Sequence, residues 1–196
     1  MTFIETVPEE QASGAIAEMY ATDEEAFGYL PNFTRAFSLR PAAYAAWRQL
    51  NGAVKSSMDL RRYELVTVAA ARRLRSSYCT LAHGTVLIDR FLDADSVTAV
   101  VADHRTAGLS ATDVAVMDLA EKVADDATAV HHADIERLRS VGLSDAEIVD
   151  VVLAAAARCF FSKTLEALGV EPDAKYADLD PAVRDVLTVG RAIAKR

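Results

Sequence analysis

Residues 59–84 read DLRRYELVTVAAARRLRSSYCTLAHG, and their periodicity decides the fold class. Asp59 stands where an N-cap belongs. An apolar stripe follows at Leu60, Tyr63, Val66, Thr67, Ala70 and Leu74, the spacing of one helix face. At 100° per residue, Glu64 falls about 40° from Leu60, on the border of that stripe. A second helix starts at Ser76-Ser77-Tyr78-Cys79. With Ser76 as its N-cap, Cys79 occupies the first turn, where free N–H groups and the helix dipole favour a thiolate. His83 lies four residues on, which sets its imidazole beside the Cys79 sulfur on one face.

The same punctuation extends in both directions. Pro8, Pro41 and Pro181 each sit where a first helical turn would open, and Asp180 can cap the last of these. Ser110 with Asp113, and Ser144 with Glu147, each pair an N-cap serine with an acid three residues later. Helices are expected over 8–21, 41–56, 60–74, 77–92, 95–103, 111–126, 132–140, 145–168 and 181–193, with a loop carrying short helical pieces from Thr22 to Arg40. No stretch alternates with the period of a strand, and no Gly/Ser-rich linker divides the chain. The expectation is one all-α domain over 1–196. Val151 to Phe161 is apolar on every side except at Arg158, so this helix is expected at the centre of the core or of an oligomer. Small alanine side chains permit close helix approach, and a homo-oligomer is expected.

Composition bounds the function. The 196 residues carry 21 Lys plus Arg against 29 Asp plus Glu, a formal charge of −8, which argues against a nucleic-acid partner. With 8 Gly and 5 Pro the chain is not a disordered or loop-rich type. The longest apolar run, Val151 to Ala157, falls far short of the ~20 residues a spanning helix needs, so no membrane partner is expected. The acidic start MTFIETVPEE does not resemble a secretory signal, and 2 cysteines are too few for a disulfide framework. A reducing cytoplasm is the expected address.

Cys79, His83 and Glu64 form a credible activation unit: the imidazole takes or relays the thiol proton, and the carboxylate orients the imidazole. The plainer alternative is that Cys79 is a small buried hydrophobe and His83 a satisfied core histidine. Spacing leaves both open. Elsewhere, His131 and His132 diverge on a helix and suit a helix start, and His104 lacks a metal-ligand partner at the usual spacing. No glycine-rich phosphate loop is present, so no cofactor or metal is expected. Arg72, Arg73 and Arg75 read as a solvated helix end, with an anchor for an acidic substrate or a subunit contact as the alternative. Tyr44 and Trp47 read as core.

Glu64, eleven intervening residues, Ser76-x-x-Cys79 and then His83 resemble the E-x11-C-x-x-C-x3-H signature of the alkylhydroperoxidase D and carboxymuconolactone decarboxylase superfamily. Leu30-Pro-Asn-Phe33, Pro41, Leu60-Arg-Arg-Tyr-Glu64-Leu, Gly142-Leu-Ser-Asp-Ala-Glu147 and the stretch from Phe161 to Pro172 resemble it too, so the likeness spans about 30–173. The resemblance implies an AhpD-like helical fold that assembles as a trimer or hexamer. It implies Cys79 as the peroxidatic nucleophile, with His83 and Glu64 relaying protons and a hydroperoxide as substrate. Position 76 departs from the pattern. Ser76 replaces the resolving cysteine, which leaves a one-cysteine peroxidase recycled by an external thiol, or one resolved by Cys159. Two alternatives on the same scaffold are a lyase acting on a lactone acid, with Arg72 or Arg75 holding the carboxylate, and a non-catalytic helical oligomer.

Overall fold

A computed structural model describes residues 2–196. Ten α-helices follow in chain order: α1 (Ala15–Phe27), α2 (Asn32–Ala36), α3 (Pro41–Ser57), α4 (Leu60–Arg73), α5 (Ser77–Arg90), α6 (Ala94–Asp103), α7 (Ala111–Asp126), α8 (His132–Ser140), α9 (Asp145–Ala167) and α10 (Pro181–Leu187). No strand occurs among the described residues, and none of the helices is long and apolar enough to cross a membrane.

The centre of the molecule is α4, which packs against α5, α7 and α9. Every residue from Tyr63 to Ala71 is buried, so this helix is enclosed on all sides rather than along one stripe. Three alanines at 69–71 make that enclosure possible, because they let neighbouring helices approach closely. Within the single chain, the helix at the centre of the core is α4 rather than α9. The latter flanks α4 and leaves Val149, Leu153 and Phe160 at 54%, 44% and 48% exposure. These residues fall on one outer helix face, which the all-apolar pattern of the sequence could not orient.

Three helix boundaries differ from the sequence expectation by more than two residues. The first helix begins at Ala15 rather than at Pro8, which instead opens a single 3-10 turn over Glu9–Gln11. The chain breaks at Gly14, whose φ of 53° does not continue a helix, and α1 then runs on until Gly28 ends it at φ 76°. Its added turns carry Asp23 inward. There the carboxylate accepts hydrogen bonds from Thr34 Oγ1 (2.6 Å), Tyr44 Oη (2.6 Å) and Arg48 Nη1 (2.8 Å), which tie α1 to α2 and α3. The last helix stops at Leu187 instead of 193, because the following residues are held by distant partners. Gly190 N–H donates to Ser77 Oγ at 2.8 Å and Ala194 N–H to Pro172 O at 2.9 Å.

Candidate functional site

Asp59 caps α4 as expected, its side chain accepting from Arg62 N–H at 2.9 Å, and this start sets the register of Tyr63 and Glu64. The α4–α5 turn is tight: Ser76 N–H donates to Ala71 O at 2.9 Å, and Arg75 takes a φ of 55°, a left-handed conformation rare for a side-chain-bearing residue. The turn brings α5 back along α4 and sets His83 against Glu64. Ser76 is the N-cap residue of α5, but its hydroxyl makes no cap bond and is buried outside the cavity described below. Its place in the chain is as expected; its capping role is not.

Cys79, His83 and Glu64 line one cavity of about 480 Å³, together with Trp47, Arg158 and Phe161. His83 Nδ1 lies 2.5 Å from Glu64 Oε2, and Lys55 Nζ lies 3.7 Å from the other carboxylate oxygen. Burial opposes the charge on Glu64, but His83, Lys55 and Arg158 together hold its carboxyl below the usual range. Burial, reinforced by the Arg158 charge, pushes the His83 pKa down against the opposing pull of Glu64. Bound to the Glu64 carboxylate through Nδ1, the neutral form of His83 carries its proton there. That tautomer leaves Nε2 as a lone-pair base.

The sulfur's partner comes from an unexpected direction. Arg158 of α9, 2% exposed, places Nη1 at 3.5 Å from Cys79 Sγ and Nη2 at 3.4 Å from Tyr63 Oη. Tyr63 in turn donates to Asn51 Oδ1 at 2.8 Å. The hydrogen bond to the sulfur thus comes from a guanidinium at the far end of the chain, while the imidazole expected beside it lines the same cavity and bonds to Glu64. Its only sequence signal is that it interrupts an apolar run. Arg158 Nε has no hydrogen-bond partner among the described residues, nor does the buried Trp47 Nε1.

Aromatic rings form the rest of the wall. Trp47 and Phe161 stack at 4.0 Å between centroids, Phe33 meets Phe161 edge-on at 5.5 Å, and Phe27 meets Phe33 at 5.7 Å. Tyr44 and Trp47, read from the sequence as core, line the cavity as well. Next to them Asp173 fixes the mouth: it accepts from Asn32 N–H and Tyr29 Oη, each at 2.8 Å, and from Tyr78 Oη.

Other sequence candidates lie elsewhere. Arg72 donates to Glu121 at 2.9 Å and Arg73 to Asp125 at 2.5 Å, so both bind α7; neither they nor Arg75 line the cavity. Cys159 is partly buried outside the cavity, and burial raises its thiol pKa. His131 is the N-cap residue of α8, whose N–H donates to Asp134 Oδ2 at 2.8 Å. His104, Asp118 and Glu121 bring potential ligand atoms within 4.8 Å of one another, but arginines already neutralise this cluster.

No family model matches the sequence, and no curated protein does. Solved structures do match. A peroxidase-related protein with an alkylhydroperoxidase AhpD core from Ralstonia eutropha superposes with a TM-score of 0.79 at 19% identity, over 97% of this chain and 98% of that one. A peroxidase-related protein from Silicibacter gives 0.76 at 22% identity, over 89% and 91%. The debrominase Bmp8, in complex with 2,3,4-tribromopyrrole, gives 0.73 at 11% identity, over 95% and 98%. At these identities the likeness is one of architecture, spread over nearly the whole chain, and the chain has the fold of the AhpD-core structure.

Proposed function

We propose that this chain is a one-cysteine thiol peroxidase in which Cys79 reduces a small organic hydroperoxide. The observation that carries the reading is the convergence of a buried thiol, a carboxylate-oriented neutral imidazole and a guanidinium on one cavity. His83 Nε2 takes the thiol proton. The thiolate attacks the distal peroxide oxygen, the O–O bond breaks, and the leaving alkoxide takes the proton back from His83. Sulfur becomes a sulfenic acid and the peroxide is reduced by two electrons to an alcohol. Ser76 cannot resolve that intermediate, and Cys159 lies outside the cavity. An external thiol therefore condenses with the sulfenic acid, releasing water, and a second thiol frees Cys79 as a disulfide leaves.

A second reading is supported by Arg158, which supplies inside the cavity the cation that Arg72 and Arg75 do not. A cofactor-free lyase would use Arg158 to hold a carboxylate of a lactone acid and His83 to move a proton, with Cys79 incidental. Intact mass after one equivalent of an organic hydroperoxide decides between them. The expected result is gain of one oxygen that disappears in Cys79→Ser and persists in Cys159→Ser. An unchanged reduced mass in the wild type overturns the peroxidase reading and leaves the lyase to be tested by turnover of a lactone acid in Cys79→Ser.

A further inference from the structure

Among the charged groups that line the cavity, one buried cation has no carboxylate partner. The carboxylate of Asp23 is answered by Arg48 at 2.8 Å and that of Glu64 by Lys55 at 3.7 Å. Asp89 and Lys175 stand exposed at the rim. Arg158 remains: it is buried, it forms no ion pair with any carboxylate among the described residues, and its contacts are a thiol, a phenol and the face of Phe161, whose centroid lies 5.6 Å from the guanidinium carbon. Removing a guanidinium from water without a counter-charge is costly, and native structures rarely leave the cost uncompensated. Its Nε is also an orphaned donor, and the indole N–H of Trp47, on the same cavity, is another. Two unsatisfied donors and a buried guanidinium with no carboxylate bound to it suit a ligand that brings acceptor oxygens and a negative charge.

The rest of the wall selects shape. Trp47 and Phe161 stack on each other at 4.0 Å, with Tyr44 and Phe37 stacked on them at 6.0 and 5.8 Å and Phe33 edge-on to Phe161 at 5.5 Å, so the apolar surface is a cluster of aromatic rings that offers mainly edges. Such surfaces favour a planar partner through offset or edge contacts. The volume, about 480 Å³, lies in the range that holds a small organic molecule.

We infer that the cavity binds a planar aromatic acid, its ring against the Trp47–Phe161 wall and its carboxylate on Arg158. The inference takes from the proposed function only that this cavity is the substrate site. It narrows the substrate to molecules that carry an aromatic ring and one anionic group.

The chain contains 1 tryptophan, so fluorescence reports Trp47 alone. Cys79→Ser protein, which removes thiol chemistry, is titrated with benzoate, with its neutral isostere benzamide, and with acetate. Benzoate is expected to change the emission saturably and to bind at least tenfold more tightly than either other probe. Adding Arg158→Met is expected to lower benzoate to the benzamide level, while Arg158→Lys retains part of the preference. Equal binding of benzoate and benzamide overturns the inference, because the charge is then not read. Equal binding of benzoate and acetate overturns it too, because the ring is not. A benzoate preference that survives Arg158→Met assigns the anion to another group and also overturns it. Circular dichroism checks that each variant is folded, and the three-probe comparison on the parent protein stands whatever the Arg158 variants do. A failed oxygen gain in the peroxide experiment overturns the chemistry assigned to Cys79 and leaves this binding result intact.

Discussion

His83 and His104 are both packed against carboxylates, yet their surroundings differ in one respect. His104 is 1% exposed, with Nε2 at 3.0 Å from Asp118 Oδ1 and Nδ1 at 3.8 Å from Glu121 Oε1. Asp118 is also held by Arg105 and by Arg137 at 2.9 Å, and Glu121 by Arg72 at 2.9 Å and Arg105 at 3.2 Å. Each carboxylate there is bound by at least one arginine. At His83 the carboxylate is likewise bound, but a cavity opens alongside and the nearby Arg158 has no counter-charge. A histidine–carboxylate pair is therefore not diagnostic by itself. What sets the pair proposed for catalysis apart from the other is an adjoining cavity and a guanidinium with no carboxylate partner.

The widest contrast is expected from truncating each ring. His83→Ala removes the proton acceptor for Cys79 and is expected to slow its oxidation by hydroperoxide at least ~100-fold, the usual scale for losing a general base, with the fold retained. His104→Ala leaves the cavity untouched and is expected to hold that rate within about twofold, while costing about 1–3 kcal/mol of stability as buried carboxylates lose a partner. Stopped-flow oxidation and urea unfolding on the two variants measure both. Equal rate losses would erase the distinction drawn between the pairs.

Acid sharpens the contrast next. The folded His83 pKa lies below its ordinary value of 6.5, because burial and Arg158 disfavour the imidazolium. Below pH 6.5 the unfolded chain therefore binds the proton first, and stability falls as pH drops until the folded pKa is passed. Glu64, held below its ordinary 4.5, adds a second decline of the same sign at lower pH. The stability contributed by the pair is thus fully present above pH 6.5 and lost stepwise below it. In His83→Gln the upper step is expected to vanish from a pH series of urea midpoints. A wild-type midpoint that is flat or rises on acidification from pH 6.5 would contradict this assignment.

Much of this arrangement was legible in the sequence, and the parts that were not share a cause. Cys79 and His83 are four residues apart on one helix, and Glu64 sits on the preceding helix across a short turn, so local geometry suffices to bring them together. Arg158 lies on α9, and which side of that helix faces α5 depends on packing across the whole chain. Its lone charge in an apolar run was visible; its direction was not. Tyr44 is in the core as expected and Trp47 packs against it, but that both also border the cavity could not be read, because an aromatic at helical spacing looks the same in either place. The early end of α10 follows from Gly190 reaching Ser77, a contact between distant residues that no local propensity encodes. Asp59 and Ser144, by contrast, cap as expected because a cap involves only the next few residues.

That locality sets up the smallest effect. Ser144 Oγ accepts from Glu147 N–H at 3.3 Å, while Glu147 accepts from Ser144 N–H at 2.9 Å and from Arg62 at 2.8 Å. The Ser144 backbone bond and then Arg62 hold the Glu147 carboxyl down to about 2, so the cap stays intact across the neutral and mildly acidic range. Ser144→Ala is expected to cost about 1 kcal/mol of global stability, the common value of an N-cap hydroxyl. The same helix carries Arg158 more than three turns further on, in packing that the cap does not touch. Benzoate affinity in the Cys79→Ser background should therefore change by less than about twofold when Ser144→Ala is added, since distant sites with no shared partner act independently. A larger loss would mean that fraying at the first turn of α9 reaches the guanidinium, and that the paired and unpaired regions are coupled along this helix.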